Sequence, residues 1–149
     1  MQFQNNKERI LIIDFGSQVT KLIARRVRDL GAYSEVLTPN QIRNIKNFKE
    51  IKGIILSGGP SSVTQKNFQS IPRKIFFKNI PILGVCYGLQ LIAKLFGGRI
   101  KSSKKKREFG RALIFKKNDS LLTKNFFISN NSVWMSHEDA VIKLPKNFR

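Results

Sequence analysis

Pro81-Ile82-Leu83-Gly84-Val85-Cys86-Tyr87-Gly88-Leu89-Gln90 sets the chain's only cysteine between two glycines, where an apolar run meets a segment of helical spacing. A buried strand that turns sharply into a helix lifts the residue at the bend clear of its own backbone. Glycines two before and two after remove the Cβ atoms that would collide in so tight a turn. The same turn aims the first helical N–H groups, and the positive end of the helix dipole, at the sulfur, which favours a thiolate nucleophile. A lone cysteine is otherwise an ordinary small apolar side chain. The flanking glycines and the change of period mark Cys86 as a nucleophile, and the N–H of Tyr87 directly after it as an oxyanion donor.

Upstream, Ile10 to Phe15 is apolar apart from Asp14, and is followed by Gly16-Ser17 and by apolar residues at Val19, Leu22, Ile23, Val27 and Leu30. That spacing predicts a helix with Ser17 as N-cap and Gly31 just past its end. Ser34 to Leu37, Gly53 to Leu56 and Ile82 to Val85 read as further strands, and Gly53 to Leu56 as one buried on both faces. Strands that are apolar throughout and alternate with helical segments pair in parallel, with helices on both sheet faces. The expected fold is α/β, a doubly wound, mostly parallel sheet. Ligands of such sheets sit beyond the carboxyl ends of the strands, where Ser57-Gly58-Gly59-Pro60 and the Cys86 elbow both fall. A Gly-Gly pair there can turn a peptide N–H into the cleft, opposite that of Tyr87.

Asp14-Phe15-Gly16-Ser17-Gln18, Leu22-Ile23-Ala24-Arg25-Arg26-Val27-Arg28, Gly53-Ile54-Ile55-Leu56-Ser57-Gly58-Gly59-Pro60, the elbow and Val133-Trp134-Met135-Ser136-His137 follow one another through nearly the whole chain. In that order and spacing the sequence resembles the amino-terminal glutaminase domains of the GMP synthetase branch of the class I (triad) glutamine amidotransferases. The glycine-flanked cysteine points only to the wider family. The Asp-Phe-Gly-Ser-Gln opening with its Ala-Arg-Arg helix, and the Trp-Met-Ser-His segment, narrow it to that branch. The resemblance implies hydrolysis of glutamine through a cysteinyl thioester, with ammonia passed to a synthetase domain that adenylates xanthosine monophosphate and aminates it to GMP. On those terms Cys86 is the nucleophile, and Gly59 and Tyr87 supply oxyanion N–H groups. Gly58, Gln90, Ser136, His137, Glu138 and Asp139 line the pocket for the substrate glutamine. No cofactor or metal is implied within residues 1–149. ATP and Mg are implied for the synthetase (ATP-pyrophosphatase) domain, the expected partner in cis or as a separate subunit.

Two departures stand out. Glu138 follows Ser136-His137 where the family usually carries glycine. The family's general base and its orienting carboxylate lie in a Phe-His-Pro-Glu segment, which these 149 residues do not contain. The only histidine, His137, matches the pocket motif and not the catalytic one. Val133 to Leu144 is strand-like with no following partner. These points lead to the expectation of a partial glutaminase domain over 1–149, incomplete at the C-terminus, without synthetase and dimerisation domains and inactive alone. Two other readings are a catalytically inactive amidotransferase-like binding domain and a single-domain cysteine hydrolase with another acyl substrate. The intact elbow argues against the first, and the Trp-Met-Ser-His segment and lack of a second histidine against the other.

Lys and Arg total 28 against 9 Asp and Glu, a net charge of +19. Such an excess often marks nucleic-acid binding. Here the lysines are scattered, only Ser102-Ser103-Lys104-Lys105-Lys106-Arg107 forms a run, in what reads as a loop between strands, and no aromatics interleave with it as a stacking platform. The abundance of Lys, Asn, Ile and Phe fits the compositional drift of an AT-rich genome, so no specific nucleic-acid partner is expected. One cysteine excludes an internal disulfide. With no apolar stretch long enough for a membrane and no signal peptide, the expected location is the cytoplasm.

Overall fold

Branched side chains at Ile10, Ile12 and Ile13 are stiff at χ1 and suit a pleated, extended backbone, and β1 (Arg9–Ile13) forms there. The computed structural model describes residues 8–102, 108–115, 120, 122–123 and 131–148, and the side chains of Glu108, Phe109 and His137 lie outside that description. β2 (Ser34–Leu37), β3 (Ile51–Leu56) and β4 (Ile82–Gly84) join β1 in a parallel sheet of order β2-β1-β3-β4. Leu11 lies beside Glu35 and Ile54, and Ile13 beside Leu37 and Leu56.

The chain steps from β1 to β2 on one side, then crosses to β3 on the other. With right-handed crossovers, this reversal puts the connecting helices on opposite faces and opens a crevice at the carboxyl ends of β1 and β3. One face carries the main core. Leu11, Ile13, Ile54 and Leu56 pack there against Ile42 of α2 (Pro39–Arg43), Ile75 of a 3-10 helix (Arg73–Phe77), and Tyr87 and Leu91 of α3 (Tyr87–Leu95). The other face carries α1 (Thr20–Asp29), whose Thr20 and Ala24 are buried.

The expected α/β sheet is present, with three corrections of detail. First, α1 begins at Thr20 with Val19 as N-cap, not at Ser17. Asp14 Oδ1 accepts the N–H groups of Gly16 and Ser17 and the Thr20 hydroxyl, and so holds residues 14–19 as a turn ahead of the helix. The exit is as predicted: Gly31 adopts φ +86, donates to Arg28 O, and is followed by an Ala32 N–H to Val27 O bond that completes a Schellman motif. Second, the inward face of α1 is Thr20, Ile23, Ala24 and Val27, while Val19, Leu22 and Leu30 are exposed. The buried Thr20 hydroxyl, bonded to Asp14 and lying beside that of Ser57, sets that rotation. Third, Gly53, Ile54 and Leu56 of β3 are buried as expected, but Ile55 is only half-buried. Because α1 lies over β1 and β2, Ile55 and Leu83 line a half-open apolar groove with Ile10 and Val27.

Beyond α3, β5 (Arg99–Ser102) pairs antiparallel with β8 (Asp139–Lys143), and β6 (Glu108–Ile114) with β7 (Asn131–His137). Ser102 sits opposite Asp139 and Ala112 opposite Val133. The strand-like segment from Val133 to Leu144 therefore has partners, and they lie earlier in the chain, where a search for a following strand does not look. The basic run at 103–107 lies outside the described residues, between β5 and β6.

Candidate active site

Between Gly84, the end of β4, and Tyr87, the start of α3, Cys86 takes φ +49 and ψ −108. A residue with a Cβ rarely occupies that region, and such strain persists only where its surroundings impose it. Val85 N–H donates to Leu56 O (2.9 Å), Gly88 N–H to both Val85 O (3.0 Å) and Ser57 O (3.1 Å), and Gln90 N–H to Cys86 O (3.1 Å). The flanking glycines serve contacts that sequence alone does not name. A Cβ on Gly84 would come within 2.7 Å of Leu89 N, and one on Gly88 within 2.2 Å of Leu56 O. The bend therefore closes only with α3 seated directly on β3. Cys86 itself is exposed, and its sulfur has no hydrogen-bond partner among the described residues.

The Ser57–Pro60 turn comes to the same place. A Cβ on Gly58 would lie 3.6 Å from Cys86 Cβ, while one on Gly59 would press to 2.5 Å from Phe15 O at the end of β1. Gly59 is thus pinned against one strand end while its neighbour faces the thiol. Tyr87 opens α3, so its N–H has no carbonyl one turn earlier. Among the described residues neither that N–H nor that of Gly59 donates to a backbone carbonyl. Such free donors beside a nucleophile can stabilise a developing oxyanion. The Tyr87 side chain belongs to the core. Its ring packs on Phe15 with centroids 4.8 Å apart, its hydroxyl donates to Gln69 O (2.6 Å), and burial pushes the phenol pKa up.

Gln90, one turn into α3 and nearly buried, donates through Nε2 to Asp139 O (2.9 Å), tying β8 to the elbow helix. The Asp139 side chain is itself only 7% exposed. Ser62, just past the Gly58-Gly59 turn, donates to its Oδ2, and its Oδ1 is buried with no hydrogen-bond partner among the described residues. Contacts thus run from Cys86 through Gln90, Asp139 and Ser62 back to the Gly58 turn. A buried carboxylate oxygen without a donor is a site for a donor from a ligand, a cationic one above all.

Of the other candidates, Ser136 is exposed in β7 opposite Phe109, and Glu138 is exposed at the bend between β7 and β8. His137 lies in β7, its side chain outside the described set. The hydrogen-bond network enters the elbow region through Asp139. Four residues that sequence reasoning did not single out hold the site's shape. Thr20 Oγ1 bonds Asp14 Oδ1 (2.8 Å) and lies 2.9 Å from the Ser57 hydroxyl, which also contacts Gly58 O (3.1 Å). Asp14 carried a signal, a lone charge ending an apolar run; Ser62, whose partner lies 77 positions on, carried none. Among the described residues no group of three His, Cys, Asp or Glu side chains could hold a metal ion, and no helix is long and apolar enough to cross a membrane.

A strained cysteine elbow at the end of a parallel strand, beside a Gly-Gly turn, is an arrangement that suits nucleophilic chemistry at a thiol. The glutamine amidotransferase class-I family matches residues 11–149, and the chain belongs to it. Within that family its relatives include the GMP synthases [glutamine-hydrolyzing] of Borrelia garinii subsp. bavariensis, 45% identical over 99% of this chain, and of Pelodictyon phaeoclathratiforme, 50% identical over 94%. The chain spans 28% of the length of each. Among solved structures, a GMP synthase component from Thermoplasma acidophilum superposes with TM-score 0.74 and 29% identity, over 93% of this chain and 69% of that one. A Thermotoga maritima glutamine amidotransferase (TM-score 0.71, 21% identity, 94% and 64% covered) shares the fold.

Proposed function

We propose that residues 1–149 belong to the glutaminase domain of a cytoplasmic GMP synthetase, and supply ammonia for the ATP-dependent amination of xanthosine monophosphate. The observation that carries this reading is the Cys86 elbow, held in its strained conformation against the Gly58-Gly59 turn. In the proposed reaction the Cys86 thiolate attacks the side-chain amide carbon of glutamine. The carbonyl oxygen takes the negative charge and faces the N–H groups of Gly59 and Tyr87. Collapse breaks the C–N bond, the amide nitrogen leaves as ammonia after gaining a proton, and water then hydrolyses the thioester to glutamate and free thiol.

Asp139 Oδ1 is the proposed partner of the substrate's α-ammonium group. Gln90 and Ser62 fix that carboxylate, Gly58 leaves room beside the sulfur, and Ser136, His137 and Glu138 form the remaining wall. The proton steps need a base that reaches Cys86. The single imidazole among these residues is His137, which the family resemblance assigns to the pocket, so the 149-residue polypeptide is proposed to capture an electrophile without turning over. The proposed partner, a synthetase domain in cis or as a separate subunit, is where ATP and Mg would act.

Incubation with an electrophilic glutamine analogue, read by mass spectrometry, should give one adduct, on Cys86, absent in Cys86→Ala. Glutamate release should not be sustained. A folded chain that forms no adduct would refute the pocket. Sustained release that is lost in His137→Ala and titrates in the histidine range would make His137 the base.

A further inference from the structure

At the opposite end of the sheet from Cys86, α2, the 3-10 helix and the residues after each form a half-open cavity of about 640 Å³ lined by Arg43, Asn44, Lys46, Phe48, Lys74 and Lys78, with Ile45 completing the wall. Its position follows from the topology. Phe48 O accepts the N–H of Ile51 where β3 begins, whereas Cys86 follows the carboxyl end of the parallel strand β4. The length of β3, about 20 Å at strand rise, separates the two.

Four basic residues from two segments line this hollow, and among the described residues no carboxylate does. None of the four makes an ion pair among the described residues, although Arg9, Arg26 and Lys52 do so elsewhere. Arg43 gives one N–H to Ser70 O (3.2 Å), which steadies the guanidinium and leaves its other donors free. Lys78 Nζ sits 5.6 Å from the centroid of the Phe48 ring and is held against the wall of the cavity. Like charges gathered in one concavity raise a positive potential that a multivalent anion relieves, and ammonium and guanidinium donors suit phosphate oxygens.

A plainer account is that basic residues in the last turns of α2 and the 3-10 helix offset the helix dipoles. That covers Arg43 and Lys74, each on its own helix. It extends to Lys78, the C-cap of the 3-10 helix, but not to Lys46, which lies beyond the C-cap of α2 and lines the same space. The volume lies in the range of small-molecule sites, and a half-open hollow with one aromatic wall lacks the succession of stacking rings that tracks a strand. We propose that this cavity binds a small anion carrying two or more phosphate groups, at a site separate from the cysteine elbow.

Titration calorimetry of the whole chain with pyrophosphate at constant ionic strength tests this. A saturable single site is expected, weakened at least about tenfold by Lys74→Glu with Lys78→Glu. The same charge change made at exposed Lys21 and Lys66 should alter affinity less than about twofold, and circular dichroism checks that both pairs fold. Equal weakening by the two pairs would reduce the effect to diffuse charge and overturn the site. So would absence of binding at millimolar pyrophosphate, or tighter binding of a single-stranded oligonucleotide that the Lys74 and Lys78 changes abolish. Unaltered binding in Cys86→Ala is expected, and its loss would contradict the separation of the two sites.

Discussion

Replacing Gly88 by alanine tests whether the elbow is held by the seating of α3 on β3. The new methyl would lie 2.2 Å from Leu56 O and 2.5 Å from Leu56 Cβ, roughly 1 Å inside van der Waals contact, against strand atoms that cannot rotate away. The helix must move. Overpacking of this kind costs about 1–3 kcal/mol, and withdrawal of α3 also strains the Gly88 N–H to Ser57 O bond, worth about another 1 kcal/mol. For a chain of this length the sum corresponds to a fall in melting temperature of roughly 4–16 °C. Because Cys86 precedes α3 directly, labelling by the glutamine analogue should slow much more than the loss of folded protein explains. Gly31→Ala is the control. Its Cβ meets nothing within 4 Å, so its cost, about 1–2 kcal/mol, is that of the left-handed backbone alone. Labelling per folded molecule should then be unchanged. A Gly88→Ala protein that melts and labels like the parent would refute the claim that contact with Leu56 shapes the elbow.

Asp139→Asn keeps the shape but loses the carboxylate. It should weaken capture of glutamine analogues by about tenfold or more, yet leave capture of an analogue lacking the α-amino group within about twofold, and equal loss for both would remove the proposed ammonium contact. Tyr87→Phe deletes the bond to Gln69 O and should lower stability by about 1 kcal/mol at neutral pH, measured by urea denaturation. The Tyr87 phenol, its pKa raised by burial above the ordinary 10.0, stays protonated in the folded chain after it ionises in the unfolded one. Its contribution is therefore full below pH 10 and lost as pH rises through the raised value, so the gap between parent and variant should narrow there. A gap that widens above pH 10 would contradict the burial.

The elbow was readable because its determinants lie within a few residues of Cys86. Glycine spacing, an apolar run and a change of period are local, and they led to the same turn the structure contains. The parallel strands were readable for a similar reason, since β1, β3 and β4 are each centred on a short apolar run bounded by turn residues, and β2, Ser34-Glu35-Val36-Leu37, follows the Gly31 turn. What escaped depends on contacts between distant segments. Thr20 turns α1 inward because Ser57, 37 residues away, offers a hydroxyl, and an apolar tally along the helix favours Leu22 instead. The pairings of β5 with β8 and β6 with β7 join residues as far apart as Ser102 and Asp139, so no local pattern names the partner of either strand. Asp139 was named only through family resemblance, and the reason for its burial, Gln90 at 49 positions' separation and Ser62 at 77, is visible only in three dimensions.

The strain at Cys86 gives these long-range contacts their meaning. Holding a non-glycine residue at its observed φ costs about 1–3 kcal/mol, which no single bond in the turn offsets. Four backbone bonds surround it, from Val85 to Leu56, from Gly88 to both Ser57 and Val85, and from Gln90 to Cys86, and at about 1 kcal/mol each they offset that cost. Two of the four end on Leu56 and Ser57, the last residue of β3 and the first beyond it. The Ser57 hydroxyl is in turn held from the other sheet face by Thr20 and, through it, Asp14. The geometry at Cys86 is therefore a property of the β3 terminus and not of the β4–α3 turn alone. The same terminus leads into the Gly58-Gly59 turn, so one strand end sets both where the sulfur stands and where the proposed Gly59 donor lies. Displacing that strand end by a fraction of an ångström would move the thiol and the Gly59 N–H together, while moving α3 alone would carry the thiol and the Tyr87 N–H away from Gly59.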